Sequence, residues 1–363
     1  MTVRLGQESP PDGPLHGASR QPFVQEVLDD LRERGVAVVQ GPSGSGTSRT
    51  AASVARTWPA GFGWSRAGLW RGCYDLVRPA WPGLAPEALL RHAAEAAVDC
   101  LLDQLRSSGR LLVIDAIDAA LRPAPSPADP FDADLALLVA ALEAGELAGS
   151  GGAVLFAGRR APSNLHVPIR PMPRLLPAEA AELADRPADS LPDPLLRRPG
   201  VLALLRGLPD LQPAALGDSP FDDLVTAACA LLEHDEREVL LCLAVVDHPL
   251  PSWGIGEAAG LERPVVEAAL DRLSGLRLVS RREHGWRCPR AVGAAARRVV
   301  PGTLRGVLPW ALAQRAAGFW MRQGADPHMS WTTADDAFAA RLGARCAVAG
   351  GGGRMAVQGL LYG

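Results

Sequence analysis

Val36-Ala-Val-Val-Gln40 runs straight into Gly41-Pro-Ser-Gly-Ser-Gly46-Thr47-Ser48, and the reading of that junction decides the fold. The first five residues are a short apolar run of β type. The next eight carry glycines at 41, 44 and 46, and Ser48 to Trp58 has helical character until Pro59 stops it. Strand, glycine turn and helix in that order match the frame G-x-x-x-x-G-K-[ST]. In that frame a tight turn aims successive backbone N–H groups at phosphate oxygens, and the following helix adds the positive end of its dipole. Ser48 stands where a hydroxyl ligates magnesium. A plain glycine-rich turn is the alternative, and the flanking strand and helix favour the phosphate loop.

The lysine of the frame is missing. Thr47 occupies its place, and all 37 basic residues of the 363-residue chain are arginine. A charged hydrogen bond to phosphate contributes about 1.5–3 kcal/mol, or roughly 10- to 150-fold in affinity. Weak nucleotide binding survives on the backbone from Gly41 through Ser43, Gly44, Ser45, Gly46 and Thr47 to Ser48. Hydrolysis suffers more, because the lysine also stabilises charge during phosphoryl transfer. Arg49 is the nearest cation and a candidate substitute, although a guanidinium binds phosphate well only when its fork is aimed.

Leu111-Leu-Val-Ile-Asp115 is a buried strand ending in a carboxylate. Any buried strand can end in Asp, but paired with the glycine loop it suggests that Asp115 stands beside the metal as a second magnesium ligand. Its distance along the chain suits the P-loop class with an extra strand between the two motifs. Many such ATPases carry a water-activating acid immediately after this carboxylate, where this chain has Ala116. Asp118 is a possible replacement, with a loop or helix-start role as the alternative. Ala153 to Ala157 reads as a further strand, ending at Gly158-Arg159-Arg160, from which Arg159 could reach a γ-phosphate or remain a solvated surface arginine.

Around this centre the pattern is strand and helix in alternation. Gln21 to Arg34 is an amphipathic helix with Phe23, Val24, Val27, Leu28 and Leu31 on one side, stopped by Gly35. A second strand is expected near Leu69 to Tyr74, and helices over Glu87–Arg106 and Asp132–Leu147. Alternation of this kind predicts an α/β domain with a parallel sheet covered on both faces. After about Pro171 proline punctuates short helices. From Phe221 three helices (Asp235–Val246, Ser252–Ala259, Pro264–Leu273) precede two short strands (Leu276–Arg282, Trp286–Cys288), the order of a winged helix-turn-helix. Another helix is expected over Leu304–Met321. The expected divisions are a flexible tail over 1–17, a P-loop domain over 18–170, a helical lid over 171–220, a winged helix over 221–303, and a C-terminal helical segment over 304–363.

Composition narrows the function. A net charge of −3 gives no global basic field for nucleic acid or anionic lipid. Six dispersed cysteines, Cys73, Cys100, Cys229, Cys242, Cys288 and Cys346, argue for reduced thiols in a cytoplasmic protein rather than disulfides or a zinc site. No apolar run reaches the ~18 residues of a membrane span. The histidines, among them His92, His166, His234, His248 and His284, lack metal-ligand spacing. Trp58, Trp64 and Trp70 are expected in the core or an interface.

The order of motifs resembles the NB-ARC branch of the STAND nucleotide-binding switch proteins over about residues 18–303. Ser19-Arg20 and the helix behind them are similar to the family's opening segment, GPSGSGTS to Walker A without its lysine, LLVIDAID to Walker B, and VLFAGR to the strand that ends in a sensor arginine, here Arg159. Leu175-Leu-Pro-Ala-Glu-Ala180 resembles the stretch that opens the helical domain. Pro199-Gly-Val-Leu-Ala-Leu204 resembles the adenine-lining segment with Leu202 at its proline, and Gly207-Leu-Pro209 is a competing placement. The family's phosphate-sensing histidine corresponds to Cys288-Pro289-Arg290. The resemblance implies bound ATP or ADP with magnesium, and a switch that is locked by ADP and self-associates on exchange for ATP.

Departures at Thr47, Ala116, Leu202 and Pro289 favour a regulatory or scaffold protein with weak or lost nucleotide turnover. It would act through protein partners, such as a partner ATPase or a second copy of itself. An active ATPase using Arg49 and Asp118, and a DNA-binding regulator using Arg281, Arg282 and Arg287 of the wing, are the alternatives, in that order.

Overall fold

A computed structural model describes residues 10–11, 15, 17–66, 93–119, 130–161, 166–167, 169–191, 196–246, 249–282, 285–303, 307–324, 342–343 and 346–350. The chain divides into two units, Met1–Glu179 and Ala180–Gly363.

The first unit is built on five parallel strands. Helix α1 (Gln21–Arg34) leads into β1 (Val36–Gln40), and α2 (Thr47–Thr57) into β2 (Phe62–Arg66). Helix α3 (Ala93–Ser108) precedes β3 (Leu111–Asp115), and α4 (Pro130–Glu143) precedes β4 (Ala153–Gly158) and the short β5 (Ile169–Pro171). The strand order is β2-β3-β4-β1-β5. The glycine-loop strand β1 and the Asp115 strand β3 are therefore not neighbours, and β4 runs between them, paired with both. This is the extra-strand arrangement expected from the motif spacing.

Alternation along each strand explains why the sheet is covered twice. Val36 and Val38 of β1, Leu112 and Ile114 of β3, and Val154 and Phe156 of β4 pack with α3 and α4. Ala37, Val39, Leu111, Val113, Leu155 and Ala157 pack on the other face with α1 and α2. Helix α1 begins with a proline in its first turn, buries Phe23, Val24, Val27, Leu28 and Leu31, and ends at Gly35. Gly35 has φ 71°, and a Cβ there would press on the backbone of Leu147, so glycine is required by both conformation and space.

The strand expected at Leu69–Tyr74 falls outside the described residues, as does Trp70. The described strand in this stretch is β2, with Trp64 buried at 2% exposure. Trp58 is also buried, its indole Nε1–H donating to the Gly109 carbonyl at 2.8 Å. The tail expected over 1–17 is described only at Pro10, Pro11, Leu15 and Gly17.

In the second unit α5 (Pro177–Ala184, which starts in the first), α6 (Pro199–Gly207) and α7 (Pro220–Ala230) precede three helices, α8 (His234–Val246), α9 (Ser252–Ala259) and α10 (Arg263–Gly275). An antiparallel pair follows, β6 (Ser280–Arg282) with β7 (Gly285–Arg287), and Leu250 bridges to Trp286. Helices α11 (Arg290–Val299) and α12 (Trp310–Gly324) follow. Among the described residues, cysteines 100, 229 and 242 are free thiols, no group of three or more His, Cys, Asp and Glu is placed to hold a metal, and no helix is long and apolar enough to cross a membrane.

Candidate phosphate site at the carboxyl edge of the sheet

In parallel α/β sheets, ligands bind outside the carboxyl ends of the strands, and the predicted residues converge there. The loop leaves β1 at Gln40. Gly41 N–H donates to the Gly158 carbonyl at the end of β4, 3.0 Å away, and Ser45 N–H closes a turn onto the Pro42 carbonyl at 3.0 Å. A Cβ at Gly41 would sit 2.5 Å from Ser45 Oγ and 2.9 Å from Met172. Gly44 and Gly46 have φ of 79° and 91°, the left-handed region that side chains disfavour. These glycines let the backbone make the concave turn that presents N–H groups to an anion. Gly46 caps α2, so Thr47, Ser48 and Arg49 form the helix's first turn.

The two residues expected to hold magnesium are brought together. Ser48 Oγ donates to Asp115 Oδ1 at 2.8 Å, from α2 to the end of β3, and Asp115 is buried at 4% exposure. The same Oδ1 accepts the Ala116 N–H at 2.9 Å. Ala116 takes φ 57° to do so, an uncommon conformation for a residue with a Cβ. The residues present thus fit a hydrated divalent cation, with a hydroxyl and a carboxylate oxygen in contact, the usual donor set for magnesium beside a phosphate.

Arg159 is not directed freely toward a phosphate. Its Nε and Nη2 donate to Asp118 Oδ2 at 3.0 and 2.7 Å, and its own N–H donates to Asp118 Oδ1 at 3.1 Å. Asp118 lies on the turn Ile117–Ala119, so a carboxylate considered as a replacement acid is committed to holding the candidate sensor arginine. Leu202 is a fully buried core residue of α6, and Pro289 is the cap residue that starts α11.

One residue of the site went unassigned in the sequence reading. Arg20, 1% exposed, donates from Nη1 to the Ser45 carbonyl at 2.8 Å and from Nη2 to the Pro173 carbonyl at 2.6 Å. Burial pulls its pKa down to about 10, and nearby Glu179 opposes that. Burial acts to raise the Glu179 carboxyl. Hydrogen bonds from the Ser19 hydroxyl (2.6 Å), the Ser19 N–H (2.9 Å) and the Leu176 N–H (3.0 Å) outweigh it, so the net shift is downward. The sequence signal for Arg20 was its place just before α1, in the stretch that resembles the family's opening segment.

The sheet order, the glycine turn between β1 and α2, and the Ser48–Asp115 contact together decide the architecture. The fold is that of a P-loop NTPase. No protein-family model matches the chain, and no curated protein matches it. Among solved structures it is similar to a STAND protein with a tetratricopeptide repeat sensor from Pyrococcus horikoshii. The TM-score is 0.62 and the identity 17%, over 99% of this chain and 52% of that one. The chain therefore spans about half the length of that neighbour. Two further neighbours are more distant. The Walker-type ATPase of Pyrococcus abyssi has a TM-score of 0.39 and 11% identity, over 78% of this chain and 98% of that one. The RuvB Holliday junction branch migration motor of Thermotoga maritima has a TM-score of 0.31 and 13% identity, over 76% of this chain and 95% of that one.

Proposed function

We propose that this chain is a STAND-like regulatory P-loop protein that binds ADP or ATP with magnesium weakly, turns it over slowly or not at all, and works through protein contacts. The observation that carries this reading is the Ser48–Asp115 contact in a site that has Thr47 in place of lysine and Ala116 in place of the acid. The metal ligands are retained while the groups that accelerate hydrolysis are not. In this reading the N–H groups from Gly44 to Ser48 hold the phosphates, and Ser48 and Asp115 hold the magnesium. The magnesium would neutralise phosphate charge. Arg159 stays clamped by Asp118 until a phosphate competes for it.

The order α8, α9, α10, β6, β7 supports reading 221–303 as a winged helix, with 18–170 as the P-loop domain and 171–220 as a helical lid. The tetratricopeptide sensor of the P. horikoshii neighbour suggests that residues 304–363 lead toward a partner-binding region. The test is the nucleotide content of purified protein and its affinity for ATP and ADP, with magnesium titrated separately. A low-micromolar Kd with steady magnesium-dependent hydrolysis would refute the proposal in favour of an active ATPase.

A further inference from the structure

We propose that Arg20 is a positioning residue that stands in for the missing lysine, charging the Gly46 N–H of the phosphate loop through the Ser45–Gly46 peptide. The inference rests on the reading that nucleotide phosphates occupy this loop.

The Ser45 carbonyl and the Gly46 N–H are the two ends of one planar peptide. A guanidinium on the oxygen draws electron density toward it and makes the N–H at the other end a stronger donor, the cooperative effect of linked hydrogen bonds. The bond is charge-assisted and buried: Nη1 lies 2.8 Å from the Ser45 oxygen and Arg20 is 1% exposed, which strengthens it relative to a bond in water. Gly46 takes φ 91° at the cap of α2, so its N–H belongs to the concave turn rather than to the helix ladder. The guanidinium is fixed from its other side by the Pro173 carbonyl, and Ser19 beside it is held by Glu179. Arg20 Nε and Ser45 Oγ are buried without a hydrogen-bond partner.

Two other arginines of the sheet are engaged elsewhere. Arg159 is held by Asp118, and Arg170 by Asp30 and Glu26. The frame's lysine would reach a phosphate directly, whereas Arg20 acts from beneath the loop. For an assumed separation of roughly 8 Å between the guanidinium and a phosphate charge, and an effective dielectric near 20, the interaction amounts to about 30-fold in affinity.

The experiment is calorimetric titration of the full chain and its Arg20→Met and Arg20→Lys variants with magnesium ADP and with adenosine, alongside the Gly46 amide resonance of each ligand-free protein. Arg20→Met should lose about 30-fold for magnesium ADP, keep its adenosine affinity, and shift the Gly46 resonance. Arg20→Lys should recover most of the loss at neutral pH. It should lose that recovery as the pH rises, because burial favours the neutral amine, while the parent protein stays level over the same range. Equal losses for adenosine and ADP in Arg20→Met would overturn the proposal, as would an unshifted Gly46 resonance. If Arg20→Met does not fold, the pH profile of Arg20→Lys decides, and a profile parallel to the parent's overturns it. If the parent protein binds no magnesium ADP, the nucleotide reading fails by itself, and the Gly46 resonance still decides the role of Arg20.

Discussion

Restoring the missing ammonium is the sharpest test of whether the loop is an intact frame. Thr47 begins α2 directly after Gly46 and is partly exposed, so Thr47→Lys places a long side chain where the frame carries one, without burying it. The geometry it depends on is present: Gly44 and Gly46 hold the left-handed turn, and Ser48 Oγ lies 2.8 Å from Asp115. One charge-assisted hydrogen bond to phosphate contributes about 1.5–3 kcal/mol, so the Kd for magnesium ADP should fall by roughly 10- to 150-fold. Adenosine, which has no phosphate, should bind unchanged. A cation in the first turn of a helix opposes the dipole by about 0.3–1 kcal/mol, so the ligand-free variant should melt roughly 1–4 °C lower. Any rise in hydrolysis should stay far below that of an active ATPase, because the lysine returns transfer charge while Ala116 still offers no acid. The assay is calorimetric titration with and without magnesium, with a melting curve as the folding check. A folded Thr47→Lys protein with parental ADP affinity would refute the reasoning, since the loop would then not be shaped for phosphate.

Three other outcomes follow from single contacts. Asp118→Ala removes both side-chain bonds to Arg159 and its N–H acceptor; Arg159 is 57% exposed, so the loss should be modest, about 1–2 kcal/mol by urea denaturation. Arg186 donates to four carbonyls at the end of α6 and beyond it, those of Leu205, Leu208, Pro209 and Leu211. Arg186→Ala should therefore cost about 2–3 kcal/mol, read in the same titration, and an unchanged midpoint would remove its capping role. Burial pushes the Cys229 thiol up to about 12 and the fully buried Cys242 well above its usual range. At pH 8 the Cys229 thiolate is on the order of one part in ten thousand. Mass spectrometry after iodoacetamide should show both residues unmodified in the folded protein and alkylated in urea.

What could be read from the chain depended on how far each signal extends along it. Helix α1 and strands β1 and β3 were legible to the residue, because a periodic face ended by Gly35 and unbroken apolar runs are local patterns. Strand β2 was not: Phe62-Gly-Trp-Ser-Arg66 buries Trp64 among small or polar neighbours and presents no apolar run. Strand β5 is three residues long, lies at the sheet edge and ends in Pro171, so its sequence resembles a loop. In the site, the glycine turn and Asp115 were legible because backbone conformation and strand burial restrict residue type. The Arg159–Asp118 pair was half legible, both residues being named but not their pairing, because 41 positions separate them.

Arg20 shows why the losses around this loop are not equivalent. The sequence presents Thr47, Ala116, Leu202 and Pro289 as one set of departures, but the first two act on different parts of the reaction. Binding of phosphate needs donors and compensating charge; the backbone turn supplies the donors, and Ser48 with Asp115 can supply a metal site. Activation of water needs a base near the γ-phosphate. Ala116 provides none, and Asp118 is occupied with Arg159. A guanidinium bound to the loop's own carbonyl can offset part of the missing lysine for a resting phosphate. It lies behind the peptide and cannot follow charge onto a departing phosphoryl group, so it compensates for binding but not for transfer. On the proposed reading, a site that pairs Ser48 with Asp115 and holds a buried cation, but has Ala116 where the acid would stand, is suited to holding a nucleotide rather than consuming it. That asymmetry, more than the count of substitutions, is what favours a switch or scaffold over an engine.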